Sequence, residues 1–181
     1  MSEQSPRRSL NELVNAIAYD VREQLDPGEV ADLRRMSPEG PLPGAFWRLL
    51  ARHLDGPGDL PPEGAARLEA ERRWAVILSA VALMGDLHQP GERLGNALAT
   101  HLGSELRVLR LLRAHGRSLA DAIRLTCRAL GSAGASVDVA EIARLVLSDG
   151  REDEEPTRRR VARSYYSALH HKGLEQKEVT A

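Results

Sequence analysis

The chain has 181 residues, 42% hydrophobic and only 3% aromatic, with a formal net charge of -1. That length supports one domain with a real core, and the dominance of Leu, Ala, Arg and Glu over β-branched runs gives an all-α class. A single cysteine, Cys127, excludes an internal disulfide and a cysteine-built zinc site.

Ser9 and Glu12 have capping-box spacing, and Leu10, Leu13, Val14, Ile17, Val21 and Leu25 recur on one face. They predict a long amphipathic first helix, stopped by Asp26-Pro27-Gly28. A short helix through Val30, Leu33 and Met36 carries Arg34 and Arg35. A loop stiffened by Pro38, Pro41 and Pro43 follows, then a helix that Phe46, Leu49 and Leu50 anchor as far as Leu54. Asp55 to Pro62 is a linker too short to separate independent domains.

From Glu63 a helix runs to Met84, amphipathic at first and then apolar on every side from Trp74 onward, which places it at the centre. Gly85 to Gly95 is a turn-rich loop, and helices are expected over Glu92–His101, Ser104–His115, Leu119–Leu130 and Val139–Ser148. Ser118 with Asp121 and Asp138 with Glu141 mark starts, whereas Gly116, Gly131 and Gly150 mark ends. The last helix should begin near Pro156 and fray past Lys172. The expected architecture is a compact helical bundle of about eight to nine helices. One domain spans 1–172, divisible into sub-bundles near 1–103 and 104–172, with a flexible tail at 173–181. The opening MSEQSPRRSL has no signal-peptide core and the run Trp74 to Met84 is too short to cross a bilayer, so a cytoplasmic protein without a membrane role is expected.

Charge is segregated along the chain. Asp149, Glu152, Asp153, Glu154 and Glu155 form an acidic knot, while Thr157 to Lys172 carries Arg158, Arg159, Arg160, Arg163 and Lys172 with no acid. The only lysines are Lys172 and Lys177, so arginine supplies 23 of the 25 basic residues. That suits bidentate phosphate binding, although a GC-rich genome gives the same bias.

Three arginine groups are candidates for anion binding. Arg107, Arg110, Arg113 and Arg117 fall within an arc of about 120° at helical spacing, with Val108, Leu109, Leu111 and Leu112 turned away. Arg158 and Arg159 open the last helix, where the macrodipole disfavours cations; pairing with the acidic knot is the alternative role for them. Arg34, Arg35, Arg48 and Arg52 form the third group, the last two one turn apart. Trp47 and Trp74 are assigned to the core, and Tyr166 is left as a candidate for base stacking.

Enzyme readings find little support. The histidines are scattered, His170 and His171 cannot share a helix face, and Asp149 to Glu155 is a contiguous mobile run rather than a set of converging carboxylates. No phosphate loop, dinucleotide fingerprint or nucleophile elbow occurs. No catalytic residue, metal, cofactor or small-molecule substrate is expected.

Several blocks also carry a family resemblance. LRRMSPEGPLPGAFWRLL (Leu33 to Leu50), RLGNALA (Arg93 to Ala99), SELRVLRLLR (Ser104 to Arg113), Val137-Asp138 at a helix start and RRRVARSYY (Arg158 to Tyr166) occur in order. Together they resemble the CasB family, the small subunit of the type I-E CRISPR surveillance complex Cascade, over roughly Val30 to Leu169. Asn96 stands where the family often has arginine, and Val139 where it often has tryptophan. The resemblance implies a non-catalytic subunit packed beside other Cascade subunits and a second copy of itself. It would grip the backbone of guide RNA and target DNA without reading sequence and stabilise the R-loop in antiviral defence. Two other classes stay open: a protein-interaction adaptor whose arginines meet acidic partner surfaces, and a small helical transcription regulator with a turn at Gly116.

Overall fold

The computed structural model describes residues 8–56 and 59–179, with side chains through Lys172. Among these, the first helix, α1 (Leu10–Glu23), opens on the expected capping box: the Glu12 backbone N–H donates to Ser9 Oγ and the Ser9 N–H to the Glu12 carboxylate. Asp26-Pro27-Gly28 does not only end it. Asp26 caps α2 (Pro27–Arg35) in a second capping box with Glu29, and Pro27 takes the first helical position, where its missing N–H costs nothing.

After the proline loop, α3 (Gly44–Leu54) buries Ala45, Phe46, Leu49, Leu50 and Leu54. The next helix, α4 (Ala65–Met84), is buried on nearly every side from Trp74 onward and packs against α1, α2 and two later helices, α7 (Gly116–Ser132) and α8 (Val139–Ser148). It is the central helix the composition called for. Cys127, on α7, is fully buried, and burial pushes its thiol up to about 12. An inert thiol follows.

The helix expected over Glu92–His101 is broken. A short α5 (Leu94–Ala97) passes into a wider π turn over Leu98–Leu102 and stops at Gly103 with φ 55°. Next comes α6 (Glu105–Arg113), and Gly116, expected to end it, is instead the first residue of α7, which runs past Gly131 to Ser132. The last helix, α9 (Glu154–Val179), starts just upstream of Pro156. Its backbone continues through much of the expected tail, whose side chains from 173 and whose residues 180–181 lie outside the described residues.

Two fastenings hold the halves of the chain together. Gly95 on α5 meets α9 so closely that any Cβ there would overlap Ser164 Oγ, the Val161 carbonyl and the Tyr165 nitrogen. On the other side, Asp138 accepts from the backbone N–H of Gly91 at 3.1 Å and of Ala140 at 2.9 Å, while its own N–H donates to the Glu92 carbonyl at 2.8 Å. One carboxylate thus caps α8 and ties down the turn after α4. A continuous apolar cluster extends from Val14 in α1 to Tyr165 in α9. No described helix is long and apolar enough to cross a membrane.

Candidate nucleic-acid interface

On α6 the sequence pattern holds in part, since Leu109, expected to turn away from the arginines, lines the groove beside them. Val108 and Leu111 are buried, whereas Arg107, Arg110 and Arg113 stand exposed in a row along one rim of a groove of about 780 Å³ between α6 and α7. Among the described residues no acidic side chain pairs with any of the three. Arg110 and Arg113 lie in the last turn, where the negative end of the helix dipole favours cations.

Beside this row, α9 presents Tyr166, 44% exposed and edge-on to the fully buried Tyr165 with ring centroids 5.2 Å apart. The Tyr166 hydroxyl donates to Glu105 on α6 at 2.6 Å, and that hydrogen bond, more than any charge, holds its pKa above the ordinary phenol value. The Arg113 charge opposes the shift. Arg163, one turn before Tyr166 on α9, is also exposed. Its three-residue spacing from Tyr166 was the available signal for adding it to the candidate set.

The other predicted arginines are committed to varying degrees. Arg34 is exposed but donates from Nε to the Ala82 carbonyl at 2.8 Å, and Arg35 pairs with Asp32 at 3.0 Å. Arg48 pairs with Glu29, and Arg52 lies 3.2 Å from the buried Asp20, which also holds His53 at 2.7 Å. Arg117 leaves the α6 row to meet Glu39 of the proline loop at 3.4 Å, and Arg159 meets Glu155 at 2.8 Å.

Arg158 departs from the expectation of an exposed contact. It is 7% exposed, and its guanidinium donates to the carbonyls of Leu112 and Ala114 while lying 3.1 Å from Asp149 and 3.0 Å from Glu154. The physical reason is the start of α9 at Glu154, which sends Arg158 inward to the end of α6. There the last carbonyls have no intrahelical partner, and a cation supplies donors and complements the dipole. The alternative of pairing with the acidic knot is the one the geometry takes.

Two acids of the knot, Asp149 and Glu154, gather around that guanidinium. Asp149 accepts from the Gly116 N–H at 2.8 Å and faces His115 at 3.0 Å, and Glu154 accepts from the Gly150 N–H at 2.6 Å. His115, Asp149 and Glu154 therefore do converge, against the reading of a mobile run, and their ligand atoms lie within 4.8 Å of one another. The positive charge they surround is Arg158, so the cluster is an internal ion-pair network. Trp47 also departs from its core assignment, being 45% exposed and edge-on to Phe46 at 5.1 Å. Phe46 points inward from α3, and Trp47, about 100° further round the helix, faces out.

Comparison with known proteins places this architecture. The family model described as CRISPR-associated protein Cse2 matches residues 29–166. The chain is also similar to M. ruber CasB, known from a crystal structure, with a TM-score of 0.68 and 20% sequence identity. The alignment covers 92% of this chain and 97% of that one, a likeness of fold. No curated protein matches the sequence.

Proposed function

The chain belongs to the CRISPR-associated Cse2 family, and from that premise we propose that it is the non-catalytic small subunit of a type I-E CRISPR RNA-guided surveillance complex. It works in the cytoplasm beside other subunits and a second copy of itself. In this reading it binds nucleic-acid backbone irrespective of sequence and stabilises the R-loop.

The observation that supports it most is the row of Arg107, Arg110 and Arg113, three exposed guanidinium groups without an acidic partner among the described residues. Like charges at three-residue spacing repel, and a polyanion relieves that repulsion. The paired arginines Arg35, Arg48, Arg52, Arg117 and Arg159 form a reserve. Their side chains are 60–79% exposed. The pairs of Arg35, Arg117 and Arg159 are exposed on both sides and worth only about 0–1 kcal/mol, so phosphate can displace those acids, whereas Arg48 faces the partly buried Glu29 and Arg52 the buried Asp20. Arg34 keeps its terminal nitrogens for a ligand while Nε holds Ala82. Arg158 is left out of the contact set.

In RNA-guided recognition base pairing carries the specificity. Exchanging a DNA duplex for a heteroduplex is nearly balanced, so protein contacts to the backbone tip it. Replacing Arg107 and Arg110 together by Ala is expected to shorten R-loop lifetime in the assembled complex without changing subunit stoichiometry. Single-strand binding by the free chain should lose about 0.7 in log–log salt slope for each contact removed. An unchanged lifetime and slope in the double variant would overturn the proposal.

A further inference from the structure

The groove behind the arginine row has a feature that a phosphodiester chain does not use. Leu106 on α6 and Leu125 on α7 are 59% and 66% exposed, and both line it, with Leu109 at partial burial between them. On α7, Ala122, Leu125 and Ala129 follow one another at helical spacing, an apolar strip roughly 10 Å long. Arg107 to Arg113 forms a parallel rim of about 9 Å. Phosphates would satisfy the arginines and leave these leucines in water.

We infer that the α6–α7 groove docks an acidic amphipathic helix of a protein partner. Its apolar face covers Leu106, Leu109 and Leu125, and carboxylates one turn apart pair with Arg107, Arg110 and Arg113. Charge complementarity fixes the sign of the partner. The groove lining contributes only one acid, Asp121, against three guanidinium groups with no acidic partner among the described residues. Small residues line the groove beside the leucines, Ala122, Thr126 and Ala129 among them, and an amphipathic helix lays its apolar face into an apolar groove of this kind. This inference does not require the nucleic-acid reading. If both hold, the arginine row has two classes of ligand that exclude each other, and helix docking withholds it from nucleic acid.

The test uses the full chain and fluorescence anisotropy with two probes. One is a panel of synthetic helical peptides with leucines at i, i+3 and i+7 flanked by glutamates, and the other an oligothymidylate single strand. The peptides should bind and displace the oligonucleotide. Leu106→Gln and Leu125→Gln, both at exposed positions, should each weaken the peptide about tenfold or more while leaving the oligonucleotide unchanged. Arg107→Ala with Arg110→Ala should weaken both.

The inference fails if no peptide of the panel binds, or if control peptides with glutamine for leucine bind equally well. It fails also if the Leu→Gln variants lose oligonucleotide as steeply as peptide, which would make the groove a nucleic-acid surface. Peptide binding without any oligonucleotide binding would sink the nucleic-acid reading alone.

Discussion

His88 uses both ring nitrogens on different helices. Nε2 lies 2.9 Å from Asn15 Oδ1 on α1, and Nδ1 accepts the Val139 N–H at the start of α8, so the ring is neutral with its proton on Nε2. Burial lowers its pKa from the ordinary 6.5, against an opposing pull from Asp138. The unfolded chain therefore takes up a proton first. The stabilisation is complete above pH 6.5 and is lost as pH falls from there to the folded value. Urea midpoints measured across that window should fall with acidity in the wild type and flatten in His88→Gln.

Arg158 gives the largest single-residue expectation. Truncation to Ala leaves Asp149 and Glu154 without their cation and the end of α6 without donors, at a cost of about 3 kcal/mol by denaturant unfolding. Arg158→Lys should recover only part, since a point charge cannot reach carbonyls and carboxylates at once. The local sequence separates Arg158 from Arg159 only by register, Arg158 lying three and seven residues before the apolar Val161 and Tyr165. One is interior and the other exposed because α9 turns a particular side toward α6, a fact of tertiary packing. Trp47 was misassigned to the core, and its adjacency to Phe46 did not settle the matter, since α3 buries the adjacent pairs Ala45–Phe46 and Leu49–Leu50.

At the scale of elements, apolar periodicity read α1, α3 and α8 well, since each buries a stripe that its own sequence encodes, and the apolar run from Trp74 marked α4 as central. The start of α2 was also written in the chain, as capping-box spacing from Asp26 to Glu29, but a Pro-Gly pair signals a stop as readily as a first turn. The break of the helix after Ala97 was not legible. It accompanies the close approach of α5 to α9, and only packing shows why position 95 admits no side chain. Gly95→Ala should therefore destabilise by roughly 1–3 kcal/mol or more in thermal or urea melts, because the overlap is with backbone that cannot rotate away.

For the whole molecule, a net charge of -1 conceals an uneven surface. Asp149 and Glu154 of the knot are turned to internal use by Arg158, and the α6 row is left without counter-charge among the described residues. The candidate site was therefore legible as a helix face, because a face is local to α6. Arg117 was lost from it to Glu39, because pairing depends on where the proline loop crosses α7.

The guanidinium that closes the end of α6 from within α9 also ties the fates of the two helices. Opening either helix breaks the Arg158 hydrogen bonds, so the two should behave as one cooperative unit in native-state deuterium uptake. Amides of Val108 to Leu112 and of Val161 to Tyr165 should share a single opening free energy, and Arg158→Ala should split them into two.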